Sequence, residues 1–393
     1  MKCSRVFILL AIVPVIFSAA NPVSAQVTSA ISGQLVSDYY YNIDNSIPAE
    51  KDRNAFTFRR LYFTFDNTIT TDIKIRFRLE SESGKYGTTT KINPFIKHAY
   101  LEWSNLIPRH VLYFGIAETN AFKNSEEYWG YRSIEKTIMD LNGISSSADF
   151  GLAVKGDIDG KYLHHWLTLM NGTGYSAAEG DRYKKIGYAL WLTPVEGLML
   201  EGYIDYEKQN PKDPQTAAVL SSAKDYSGST SYNTLKGFIG YSDVRFTVGA
   251  EAFMRINAGS GIKTPVAVYD STNAKYKVTT TTVADVKRMG YSFFASWITP
   301  LPKLIVFARY DFFDNNTGDD VYTRFDEKTG KFTGGLDDAY TMLIAGLDYI
   351  PAGNVHLMPN LIIRKYAQSG LNDDIIARLT LNLKFDSGKI VIQ

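Results

Sequence analysis

Cysteine is nearly absent: Cys3 is the only one in 393 residues, and it stands before an apolar run, Val6 to Phe17, that a lipid-anchoring cysteine has to follow. Disulfide staples, thiolate catalysis and a lipid anchor at this residue are therefore excluded. An excess of one charge is missing too, with 42 Lys and Arg against 41 Asp and Glu. A chain so balanced has no global field to hold nucleic acid, which calls for a basic face or stripe. Beyond the N-terminal segment no apolar stretch approaches the ~20 residues of a spanning helix, which excludes a helical membrane bundle. Nucleophile elbow, paired zinc histidines, phosphate loop and dinucleotide fingerprint are all missing, so no cofactor is expected. His98, His110 and His356 are scattered, and the adjacent His164 and His165 would face opposite ways on a strand, a poor arrangement for one metal ion. The run from Asp314 to Asp320 is rich in oxygen but lacks the EF-hand spacing and closing Glu, and reads as an acidic outer loop.

What is present begins at the N-terminus. Lys2 and Arg5, the apolar run and the small residues Val23-Ser24-Ala25 form the pattern of a secretory signal peptide over residues 1–25. Cleavage after Ala25 would remove those two cations and no acid, leaving 40 against 41. The expected organisation is a signal peptide at 1–25, one β-barrel domain at 26–386 and a short C-terminal tail at 387–393.

The dominant signal is a period of two. From Asp72 to Glu80, Ile73, Ile75, Phe77 and Leu79 fall on one face and Lys74, Arg76, Arg78 and Glu80 on the other, a sorting no helix achieves. Ala377, Leu379, Leu381, Leu383 and Phe385 likewise oppose Arg378, Thr380, Asn382 and Lys384. Leu198 to Glu207 and Val244 to Arg255 repeat the pattern, with Glu201, Asp205, Glu207, Arg245, Glu251 and Arg255 on the polar side. Around Ala55 to Asp66 the alternation slips at Arg59 and Arg60, which suggests a bulge. Such strands average to modest hydropathy because lipid-facing and water-facing residues cancel, while 26 Tyr, 22 Phe and 5 Trp suit aromatic girdles at two membrane interfaces.

Short turns are expected at Asp66 to Asp72, Asn105 to His110, Asp157 to Lys161, Thr193 to Gly197, Tyr241 to Val244, Thr299 to Lys303 and Ile350 to Asn354. Longer polar segments alternate with them, notably Glu118 to Ser147, Gln209 to Ser231, Asn257 to Val286 and Asp314 to Asp337. Seven short turns join eight hairpins, hence about sixteen strands. An open sheet edge in hydrocarbon would strand backbone groups at several kcal/mol each, so the sheet must close. The expected fold is all-β, a transmembrane antiparallel up-and-down barrel, and roughly sixteen strands leave an aqueous bore.

Phe58-Arg59-Arg60-Leu61-Tyr62-Phe63-Thr64-Phe65, Lys97 to Trp103, Val111 to Gly115, Glu127-Tyr128-Trp129, Ile134 to Thr137, Ser147 to Gly151 and Pro194 to Leu198 together resemble the phosphate-selective porin family. The resemblance implies a sixteen-stranded outer-membrane barrel, usually a homotrimer, with the third outer loop folded inward. That loop is Glu118 to Ser147, with a helix expected near Ser125 to Leu141 capped by Asn124 or Ser125. Glu126, Glu127, Arg132, Glu135, Lys136 and Asp140 would then supply the charge at the narrowing. Two departures from the family stand out: the chain runs past Phe385 to Gln393, and Glu102, Glu201, Asp205, Glu207, Glu251 and Asp311 are interleaved with the cations.

The function expected is passive diffusion of small hydrophilic solutes and ions across the outer membrane, with lipid and solute as partners. Arg59, Arg60, Lys74, Arg76, Arg78, Arg245, Arg255, Arg309, Arg364 and Arg378 would line an anion pathway, the ladder Lys74, Arg76 and Arg78 at its centre. The same charges also serve simply to keep a channel wet. A ligand-specific uptake channel for sugars or aromatic acids is the alternative, since Phe307 and Phe313 share a face with Arg309 and Asp311. A barrel enzyme is a further one, though Ser292, Ser296 and His356 are too isolated to nominate. A soluble β-sandwich is disfavoured by the number of strands.

Overall fold

The computed structural model describes residues 27–82, 93–180, 182–208, 224–225, 231–318, 320–322, 324–326, 328–333 and 339–392. The expected signal peptide lies outside the described residues. The strands are β1 (Val27–Asp44), β2 (Asn54–Thr68), β3 (Ile73–Glu82), β4 (Phe95–Ser104), β5 (His110–Glu118), β6 (Ala148–Asp157) and β7 (Leu163–Met170). They continue with β8 (Lys185–Leu192), β9 (Leu198–Lys208), β10 (Lys224–Asp225), β11 (Ser231–Ser242), β12 (Phe246–Asp270) and β13 (Lys275–Ile298). The last are β14 (Leu304–Asp314), β15 (Arg324–Asp326), β16 (Lys331–Thr333), β17 (Tyr340–Ala352), β18 (Val355–Tyr366) and β19 (Asp374–Ile392).

Sixteen of these form one closed antiparallel barrel in which every strand pairs with its neighbours in sequence and β19 returns to β1; β10, β15 and β16 make a small separate sheet among the outer loops. Strand β9 shows why the wall forms. Glu201, Tyr203, Asp205 and Glu207 are buried inside, while Leu200, Ile204 and Tyr206 are exposed outside, the separation the sequence period dictates. The same alternation around the ring gives an apolar outer band that suits hydrocarbon, and closure leaves no edge.

All seven short turns appear where expected. In two of them the cause is local. Asp159 accepts amides from Leu163, Lys161 and Tyr162, bonds that hold its carboxyl down to about 2. Gly197 adopts φ +81°, and a Cβ there would sit 2.1 Å from the Ser242 carbonyl oxygen, so the turn into β9 needs glycine.

Three expectations are corrected. The segment Asn257 to Val286 is no loop: β12 and β13 run on as a paired hairpin to Asp270 and Lys275, because Thr- and Val-rich sequence continues the ladder beyond the barrel rim. Residues 387–392 are no free tail either; after a register shift past Asp386 the strand resumes, with Lys389 opposite Ala30 and Ile392 opposite Val27. The inward loop carries two short helices instead of one, α1 (Lys123–Trp129) and α2 (Ile138–Leu141), separated where Gly130 turns left-handed at φ +69°. The first is entered at Phe122, not Asn124 or Ser125. Both of those side chains are spent elsewhere, Asn124 donating to Glu201 and Ser125 to the Phe122 carbonyl.

Candidate functional site: the passage beside the third loop

The expected third outer loop, Glu118 to Ser147, does fold into the barrel, and it packs to one side. Phe122, Trp129, Tyr131, Ile134, Ile138, Met139 and Ile144 are buried against Phe238, Phe253, Phe294, Phe307, Phe313, Tyr340, Met342 and Ile344 of the wall. Trp129 and Tyr131 make ring contacts with Phe307 at 6.2 and 4.3 Å, the latter stacked. A buried ion pair adds to this apolar anchor: Lys236 and Glu201, 2.6 Å apart and both fully buried, bind the Ala121 carbonyl and the Asn124 amide of the loop.

This packing decides which sequence-expected residues reach open space. Phe307 and Phe313 lie under the loop, closed to any solute. Arg309 is buried, its guanidinium held by Asp311 at 2.5 and 2.8 Å and by the Lys136 carbonyl at 2.6 Å. Arg255 is buried as well, bonding the Ile144 carbonyl and Asn257 and lying over Tyr232. These two arginines are structural ties between wall and loop, since a buried guanidinium must find its acceptors at hand. Arg245 sits exposed in the turn before β12, outside the wall. Arg364 is half-buried over the Tyr340 ring.

Space remains on the opposite side, between the loop and the wall of β19 and β1 to β5. Two cavities lie there, of about 200 and 190 Å³. Arg59, Arg60, Glu82, Arg132, Glu135, Lys136 and Arg378 line the first. The second is lined chiefly by Tyr62, Arg78, Lys97, His98, Glu118, Lys123, Glu126 and Arg132. Arg132 belongs to both.

Two irregularities in the wall concentrate charge here. At Arg59 the pairing of β1 with β2 slips, Val36 facing Arg60 and Ser37 facing Phe58, so the bulge expected from the sequence turns two consecutive arginines inward. A second slip sits at Lys97, with Arg78 facing His98 and Leu79 facing Ile96, and turns Lys97 and His98 inward together. Sequence reasoning missed this pair. The signal was the same one that marked Arg59 and Arg60, two polar residues in succession within an alternating strand.

The cations are partly compensated. Arg59 meets Asp38 at 3.1 Å and the Ile134 carbonyl at 2.9 Å; Arg60 meets Glu80 at 3.0 Å and Glu82 at 3.3 Å; Lys97 meets Glu80 at 3.2 Å. Arg132 is gripped by Glu126 at 2.6 Å and Asp140 at 2.9 Å, yet its Nη1 is buried with no protein acceptor among the described residues. Burial pushes the Glu126 carboxyl above its usual range, outweighing Arg132 and Lys123. For Glu135 burial acts the same way, but Arg378 and Arg59 outweigh it and hold that carboxyl low. Glu127 is more exposed and near Lys123, 3.8 Å away. The ladder expected at Lys74, Arg76 and Arg78 does face inward, but Lys74 pairs with Glu102 at 3.3 Å, Arg76 with Asp66 at 2.7 Å, and Arg78 donates to Thr64.

No family model matches the chain, and no curated protein resembles it in sequence. Solved structures do resemble it. An anion-selective porin from Comamonas acidovorans superimposes with a TM-score of 0.56 over 92% of this chain and 100% of its own, at 13% identity. The fold is that of the outer-membrane porins. The outer-membrane channel DcaP of Acinetobacter baumannii gives 0.56 over 92% and 97%, also at 13% identity. OmpT of Vibrio cholerae in its trimer form gives 0.52 over 92% and 100%, at 10%. The fold is thus shared with an anion-selective porin, an outer-membrane channel and a further outer-membrane protein. The narrower likeness to phosphate-selective porins rests on the short segments of the sequence.

Proposed function

We propose that this chain is a non-catalytic outer-membrane porin through which small hydrophilic solutes and ions diffuse passively, with a preference for anions, phosphate among them. The outer-facing apolar band makes membrane lipid its solvent, and the seven short turns mark the periplasmic end. A homotrimer is the assembly we propose with it, in keeping with the trimer form of the Vibrio cholerae neighbour.

The observation that carries the anion preference is the charge of the passage. Arg59, Arg60, Arg132, Lys136 and Arg378 stand against Glu82 and Glu135 in one cavity, and Arg78, Lys97, Lys123 and Arg132 against Glu118 and Glu126 in the other. Cations outnumber carboxylates among the lining residues, with Asp38, Glu80 and Asp140 behind them answering part of that charge, and the remaining surplus focuses positive potential along the path of a partly hydrated ion. Arg132 matters most, because it lines both cavities. Its partners Glu126 and Asp140 come from the same loop, so the anion competes with fixed carboxylates and binds weakly enough to leave.

The test is a planar bilayer recording under a KCl gradient. Stepwise conductance with an anion-directed reversal potential is expected, and Arg132→Gln should move that potential toward cation preference. Well-folded protein that carries no current removes the channel; a reversal potential untouched by Arg132→Gln removes the assigned pathway.

A further inference from the structure

Two histidines meet far from the passage. His110 is the first residue of β5 and His165 lies on β7, while the register places Gly156 of β6 opposite both. Each imidazole projects outward, sharing its face with Phe114 or with Leu167 and Leu169, which are exposed on the outer wall. Across the intervening strand the two Nε2 atoms come to 2.9 Å, the rings edge to face with centroids 5.1 Å apart. Only a glycine permits this crossing: a Cβ at position 156 would stand 2.5 Å from His110 Cδ2 and 2.7 Å from the Arg109 carbonyl oxygen.

The proton positions follow from one neighbour. His110 Nδ1 is 2.8 Å from the Pro108 carbonyl oxygen, which accepts and never donates, so Nδ1 holds the hydrogen and Nε2 offers its lone pair. A backbone carbonyl on the far nitrogen is also the support that orients imidazoles bound to metals. We propose that His110 and His165 form a two-imidazole site for a borderline divalent transition-metal ion, Zn²⁺ or Cu²⁺, at the short-turn rim of the outer wall. Metal–imidazole bonds of about 2.0–2.1 Å put two nitrogen ligands roughly 2.9–3.4 Å apart for angles between square and tetrahedral, so the rings need to part by only a few tenths of an ångström and turn their lone pairs toward the ion. His165, whose Nε2–H donates to His110 Nε2 in the metal-free chain, then carries its proton on Nδ1 instead.

The other histidines are engaged differently. His164 is held by Asp157 and Thr193, His356 by Asp348, and His98 is buried in the lumen. Among the described residues no third His, Cys, Asp or Glu completes a cluster, so water fills the remaining positions and the ion exchanges freely.

The experiment is a calorimetric titration of the folded, untagged full chain in detergent with Zn²⁺, repeated with Cu²⁺ under electron paramagnetic resonance. One ion per chain is expected, with two nitrogen couplings for Cu²⁺. His110→Ala and His165→Ala should each weaken binding about tenfold or more and leave one nitrogen coupling, while His356→Ala changes nothing. Gly156→Ala keeps both imidazoles but parts them, and should also weaken binding by about tenfold, a readout that survives if a histidine variant fails to fold. Absence of saturable binding in the unmodified chain overturns the site. So does unchanged affinity in folded His110→Ala, His165→Ala or Gly156→Ala.

Discussion

Replacing Lys236 by Met tests how the third loop is held. Lys236 and Glu201 are both fully buried at 2.6 Å, and Glu251, buried beside them, is attracted by the same ammonium. Methionine fills most of the lysine volume but leaves two carboxylates without their cation in a low-dielectric interior. Breaking a buried pair from one side costs about 3–5 kcal/mol, a large share of a typical domain's stability of about 5–15 kcal/mol. Part of that loss falls on the loop, since Lys236 also binds the Ala121 carbonyl at 2.9 Å just ahead of α1. Removing the pair with Lys236→Met and Glu201→Leu should recover part of it, since Glu251 stays buried without the ammonium. A residue of about 1–3 kcal/mol remains because Asn124 and the Ala121 carbonyl lose their partners. Guanidinium unfolding followed by tryptophan fluorescence measures the stabilities, and single-channel noise reports the freed loop. A single variant within about 1 kcal/mol of the unmodified protein, or a double variant no better than the single, refutes the ion-pair anchor.

Two more outcomes follow from the charge of the passage. Because burial raises the Glu126 carboxyl, this group takes up a proton at a higher pH than an ordinary glutamate, leaving Arg132 facing Asp140 alone; anion selectivity should therefore rise as pH falls from 7 toward about 5. Glu126→Gln should show the higher selectivity already at pH 7 and a flatter profile, and an unchanged profile sinks the assignment. Reversing Lys74, Arg76 and Arg78 to Glu should shift the reversal potential less than reversing Arg59, Arg60 and Arg132, since those three arginines line the two cavities whereas Lys74 and Arg76 line neither. The opposite order would place the selective point at the ladder.

The sequence by itself determined the wall. Strict alternation at Ile73 to Glu80, turn chemistry at Asp159 and Gly197, and the slip at Arg59 and Arg60 are local properties, fixed by where neighbouring side chains must point once one face meets lipid and the other water. Sixteen strands follow by counting turns. Local pattern, however, says only that a residue faces inward. Whether Arg309 meets solvent or the Lys136 carbonyl, whether Phe307 stacks on solute or on Tyr131, and whether His110 finds His165 depend on residues up to 176 positions apart. Those meetings are decided by barrel closure, strand register and the side on which the third loop packs, and only the tertiary structure sets all three.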